Sequence, residues 1–276
     1  MKNKAIIITI IMILPACIIS AGENVIVQSS GLYATGDAES AEIHLIQSNE
    51  GLITGDGNIL VQSNAANIDN YGTGIINFEQ HNIEDIVGDN NSLFQINYEL
   101  VRNWGTGGNT SLTQENIAAI IGDKNRMEQE NNAVADLHGL GNFVSVSQRN
   151  TGLLERSENV LKQENRAGSY VNGSNNCVSQ IESNLAAISG YMGNAYQNNS
   201  QQAYPDPAYD DEYDEIEQSA LNTFTMTSTL DISCQINYQD AFQLYYSDEY
   251  INQSAWNNII VNGPVEDSSG FIPVDR

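Results

Sequence analysis

Glutamine returns along this chain at a period that leaves few architectures open. It occupies positions 28, 47, 62, 80, 95, 114, 129, 148, 163, 180 and 197, at intervals of 19, 15, 18, 15, 19, 15, 19, 15, 17 and 17 residues. Taken in pairs, the intervals give 33 or 34. A fixed period in this range signals stacked supersecondary units, each burying its apolar face on the next. The long and short intervals divide each unit into two unequal halves.

Each glutamine has the same neighbours. Gln47, Gln62, Gln80, Gln95, Gln114, Gln129, Gln148 and Gln163 are followed two places on by Asn49, Asn64, Asn82, Asn97, Asn116, Asn131, Asn150 and Asn165. Two places before them stand Leu45, Leu60, Phe78, Leu93, Leu112, Met127, Val146 and Leu161. Six places after the first seven come Ile53, Ile68, Ile86, Val101, Ile120, Ala135 and Leu154. All these offsets are even, so on an extended strand the residues share one face, which reads apolar, Gln, Asn, small, apolar. A buried amide is costly unless its donors and acceptors are paired. Identical amides stacked at the strand spacing of about 4.8 Å pair with their copies above and below, and this also pins the register.

The two halves end in different bends. One carries Gly55-Asp56, Gly88-Asp89 and Gly122-Asp123, with Asn58, Asn91, Asn125 and Asn159 eleven places after the starting glutamine. The other carries Tyr71-Gly72-Thr73-Gly74, Trp104-Gly105-Thr106-Gly107 and His138-Gly139-Leu140-Gly141. Gly, Asn and Asp accept positive φ, so these are tight turns. Two strands and two turns per period make one coil of an all-β solenoid. The pattern predicts a β-solenoid with about 34 residues and two strands per coil and Gln/Asn ladders inside, about five coils over residues 22–197.

The stretch Ser111-Leu112-Thr113-Gln114-Glu115-Asn116-Ile117-Ala118 resembles a curlin repeat, a strand–turn–strand unit carrying a Gln, a nearby Asn and small apolar residues at alternating offsets. The resemblance runs from about Asn24 to Gln197. It departs from that family in its longer period, in placing Asn where a Gly is usual, and in its acidic insert. Curlin-like proteins form extracellular amyloid fibres used in adhesion and biofilm matrix, and the resemblance implies the same use here.

Outside the repeat, the first 21 residues read as a signal peptide. Lys2 and Lys4 precede an apolar run from Ala5 to Leu14, too short to span a bilayer as a helix. Two processing routes compete: cleavage after Ile19-Ser20-Ala21, leaving Gly22 first, or lipidation of Cys17 in the Leu14-Pro15-Ala16-Cys17 box. The expected location is secreted or at the cell surface, as a lipoprotein by the second route, with no transmembrane helix in the processed chain. Residues 198–217 read as an acidic, solvated linker, 218–262 as a divergent β repeat or cap rich in Tyr and Trp, and 263–276 as a tail.

Net charge is −25, from 35 Asp and Glu against 10 Lys and Arg, which repels phosphate backbones and excludes nucleic acid as a partner. His44, His81 and His138 show no metal-ligand spacing, and no nucleophile elbow or phosphate loop occurs, so no enzyme activity and no organic cofactor are expected. Asp56, Asp89 and Asp123, stacked turn on turn, are the candidate ligands for calcium or another cation, weighed against solvated turns. Cys177 and Cys234 either pair as a disulfide or remain as two thiols.

These features point to a secreted structural protein that self-associates into extracellular fibres or surface matrix, with itself or other extracellular fibre proteins as partners. The alternative is a monomeric capped solenoid that binds polysaccharide or a partner protein through stacked Tyr71 and Trp104.

Overall fold

The structure is a computed structural model. It describes residues 6–19, 25–36, 41–71, 74–104, 107–138, 141, 143–156, 158–172, 177–189, 194–206, 215–226, 232–241 and 250–261. The Ala21/Gly22 cleavage point, most of the acidic run and the 263–276 tail lie outside these residues.

The described chain is a succession of strands: β1 Ile6–Ile19, β2 Val25–Gly36, β3 Ala41–Thr54, β4 Ile59–Asn70 and β5 Gly74–Val87. Then come β6 Ser92–Asn103, β7 Asn109–Ile121, β8 Arg126–His138, β9 Phe143–Glu155 and β10 Val160–Asn172. The last are β11 Cys177–Ser189, β12 Asn194–Asp206, β13 Glu215–Met226, β14 Ile232–Ala241 and β15 Tyr250–Val261. Odd strands form one eight-stranded sheet, in the order β1-β3-β5-β7-β9-β11-β13-β15, and even strands a seven-stranded one from β14 to β2. Every strand pairs in parallel with the strand two places on, as in β5 and β7, where Phe78, Gln80 and Asn82 register with Leu112, Gln114 and Asn116. The chain is thus the parallel β-solenoid that the 34-residue period requires, with two strands per coil. Among the described residues no helix is long and apolar enough to cross a membrane.

Side chains alternate in and out along each strand, as the strict alternation of buried and partly exposed residues over β7 shows. The two inner faces meet and bury a core that the ladders divide in two. One apolar column contains Leu45, Ile68, Phe78, Val101 and Leu112, and the other Leu60, Ile86, Leu93, Ile120 and Leu154. Between them run the buried amides. Each large aliphatic side chain removed from water contributes about 1.5–3 kcal/mol.

The turns stack as tightly as the strands. Gly88 and Gly122 have φ of 143° and 152°, and a Cβ on either would collide with the carbonyl oxygen of the glycine one coil earlier. Asn58, Asn91, Asn125 and Asn159 form a buried ladder of their own, each carboxamide oxygen of the last three accepting the amide N–H of the asparagine one coil before.

Two expectations are corrected, and the alternative left open for the cysteines is decided. The repeat does not stop at Gln197: β12 continues to Asp206 with Asn199 and Gln201 fully buried, because these residues keep the inward parity despite the polar composition. Cys177, the first residue of β11, and Cys234, within β14 of the opposite sheet, are separate thiols. Gln180 does not continue the ladder of Gln148. It registers with Val146, and Glu182 occupies the glutamine slot. The segment read as an export signal, including Cys17, lies in β1, where Cys17 registers with Gly51 of β3.

Candidate functional site: the polar ladders and their ends

The central spine is asparagine. Asn49 donates its amide to the carboxamide oxygens of Asn64 and Asn82 at 3.0 and 2.9 Å, and to the Ser63 carbonyl at 3.2 Å. Asn82, Asn97, Asn116, Asn131, Asn150 and Asn165 repeat this three-way pattern. The spine then continues through Asn184, Asn199 and Asn222 to Asn257. Most of these amides are wholly inaccessible to solvent, so the pairing is obligatory.

Glutamine ladders flank the spine. In the odd sheet Gln80, Gln114 and Gln148 donate to Gln47, Gln80 and Gln114. In the even sheet Gln62, Gln95, Gln129, Gln163, Gln197 and Gln235 each donate to the glutamine one coil earlier, beginning at Gln28. The odd ladder ends where Glu182 replaces a glutamine, leaving Gln148 Oε1 without a donor. A second odd ladder, shifted by two residues, then links Gln180, Gln218 and Gln253.

Sequence reasoning missed three buried carboxyls. Glu84 and Glu99 stand in the small-residue slot, in register with Gly51 and Ala118 and with Ala66 and Ala133. Glu84 Oε2 accepts from Gln62 at 3.1 Å and fills the space over Gly51. Burial pushes its pKa up to about 8, helped by the charge of Asp85. Burial raises Glu99 well above the ordinary carboxyl range as well. Glu182 shifts the same way for the same reason, opposed by the backbone amides of Ala167 and Ser200. Their parity was the available signal, since Glu84 and Glu99 lie four places after Gln80 and Gln95.

On the turns, Asp56 and Asp89 each accept the amide N–H of the aspartate one coil later at 2.8 Å, so these carboxylates staple turns together. Among the described residues no group of three or more His, Cys, Asp or Glu side chains is gathered as a metal site. At the other turns the rings of Trp104 and His138 stack with centroids 4.0 Å apart and planes 5° apart. Tyr71, the corresponding residue of the preceding coil, is 58% exposed. On the outer face of the odd sheet, His81 lies 3.5 Å from both Glu79 and Glu115, and its hydrogen bond to Glu115 raises the histidine pKa and lowers that of the glutamate.

No family model, no curated protein and no solved structure matches this chain. The geometry alone therefore carries the functional reading.

Proposed function

We propose that the protein is a secreted structural subunit that associates with copies of itself through its stacked repeats, building extracellular fibres or surface matrix. The observation that carries this reading is the unbroken asparagine spine from Asn49 to Asn257, whose last rungs remain open among the described residues. An edge strand with unpaired backbone groups and an unfinished amide ladder is a template for another strand of the same pattern. The resemblance to curlin repeats and the apolar leader support the same use outside the cell. Acidic turns and the charge of −25 oppose lateral clumping, which makes assembly sensitive to salt. No catalytic role and no cofactor enter this reading. The test is negative-stain electron microscopy of micromolar protein with and without calcium. Unbranched fibrils are the expected result, and compact monomers in both conditions overturn it.

A second reading is favoured by the aromatic turns. The stacked Trp104 and His138 rings form a flat aromatic face on one edge, suited to the apolar faces of sugar rings. A glycan screen with Trp104→Ala as control tests it, and binding that survives the substitution rejects the aromatic column as the site.

A further inference from the structure

Hydrogen-bond direction gives the stack a polarity. Asparagine amides donate toward the C-terminal end, as Asn49 does to Asn82 and Asn222 to Asn257. Glutamine amides donate the opposite way, as Gln62 does to Gln28 and Gln235 to Gln197. The two described ends are therefore unlike. At the C-terminal end Gln235 Oε1 has no donor. Asn257 there accepts from Asn222 and Asn237 but donates to no described residue. At the N-terminal end Asn49 Oδ1 has no donor, and Gln28 begins the even glutamine ladder. The C-terminal end thus carries the amide donor that Asn49 Oδ1 lacks.

Strand parity completes the match. Successive strands alternate between the sheets up the stack, ending with β14 in one and β15 in the other. A second copy that starts with β2 and β3 continues the alternation, β2 on β14 and β3 on β15. A copy that starts with β1 cannot do so. Its sheets hold eight and seven strands, so every junction would lack one strand in the smaller sheet. Nor does β1 bring amides to the ladders, since Met12 registers with Gln47 and Leu14 with Asn49.

We infer that the unit that stacks is β2–β15, that its two ends are complementary surfaces for a second copy of this chain, and that β1 is an edge strand which must leave before the N-terminal end can be joined. The inference rests on the self-association reading above and adds the direction, register and gate of assembly. At the junction the Asn257 amide donates to Asn49 Oδ1, and the same register sets β2 on β14 with Gln28 over Gln235. Gln253 then faces Leu45 and Ala255 faces Gln47. The stack already tolerates such a step, where Gln180 lies against Val146 and Glu182 against Gln148. The sequence reading of Ile6–Ile19 as an export leader supplies the means of removal: the precursor is blocked at one end, and processing opens it.

The test uses the full chain with a site-specific protease sequence in place of residues 20–24, folded and then either left intact or cut and separated from β1. Elongation is followed by light scattering and electron microscopy. Cutting is expected to raise the elongation rate at least tenfold. In the cut protein, Asn49→Leu and Asn257→Leu should each abolish elongation without changing the far-ultraviolet dichroism. Mixed one to one, the two variants should form dimers and no fibres, because only one pair of ends remains competent. Equal elongation of intact and cut protein overturns the gate while leaving self-association standing. Elongation of either leucine variant at the parent rate overturns the assigned junction. No elongation of any form overturns self-association and the inference with it.

Discussion

Glu84 brings a carboxyl to a core position that its neighbours in the sheet, Gly51 and Ala118, leave small, and this makes the stability of the solenoid depend on pH in a calculable way. Burial raises its pKa from the ordinary 4.5 to about 8 in the folded chain. The fold therefore favours the protonated acid, and the unfolded chain releases its proton first as pH rises. Stability from this group is complete below about pH 4.5, falls as pH climbs toward 8, and is constant beyond. Linkage between these two values gives a loss of about 3 kcal/mol between pH 4 and pH 7, and about 5 kcal/mol in all. Glu84→Gln keeps the shape and an acceptor for Gln62 but cannot ionise. It leaves an amide N–H to be paired, a cost of about 1–3 kcal/mol that does not vary with pH. The diagnostic is thus the pH slope, read by urea unfolding monitored with circular dichroism at dilute concentration from pH 4 to 9. The variant should gain about 3 kcal/mol on the parent between pH 4 and 7. Parallel pH profiles for the two proteins would refute the argument that a buried, protonatable carboxyl sits in this slot. Glu99 and Glu182 act in the same direction, so the Glu84→Gln variant should still be more stable in acid than at neutral pH.

Other perturbations test the ladders and turns. Asn116→Leu removes donors to the Glu130 carbonyl, Asn131 and Asn150, and an acceptor for Asn82 and Asn97. It should cost about 3–5 kcal/mol in chemical denaturation, whereas Thr113→Ala on the outer face of the same strand should stay within about 0.5 kcal/mol. Gly122→Ala combines a φ of 152° with a collision against the Gly88 carbonyl oxygen, and a loss of about 3 kcal/mol or more is expected from the same assay. In native protein prepared without reductant, thiol titration should find Cys177 and Cys234 both reactive, with exposed Cys234 the faster.

Much of this architecture was legible because the chain repeats itself. The interval pattern marked two strands per coil, and the even offsets named the inward residues from Leu45 to Leu161. The buried glutamates were legible by the same parity but were masked by composition, since a carboxylate is ordinarily read as an outward residue. Gln180 misled for a different reason. A displacement by two residues preserves parity, so a glutamine in the neighbouring inward slot looks like the next rung. The interval of 17 was its trace: with Glu182 as the rung, the spacings return to 19 and 15. The Asp56, Asp89 and Asp123 series was visible as a ladder, but its partners were not, because the backbone N–H that the Asp56 and Asp89 carboxylates meet belongs to a coil 33 or 34 residues away.

By itself, the sequence determined the period, the pairing of like with like and the polar seam within the core, because a buried amide is stable only beside its own copy. Tertiary structure alone decided the direction in which each ladder donates, the shift at β11, the ionisation of Glu84 and the unequal strand count of the two sheets. These are collective properties. An amide does not know which neighbour accepts its proton, nor a strand which edge it closes, until the whole stack fixes the register around it.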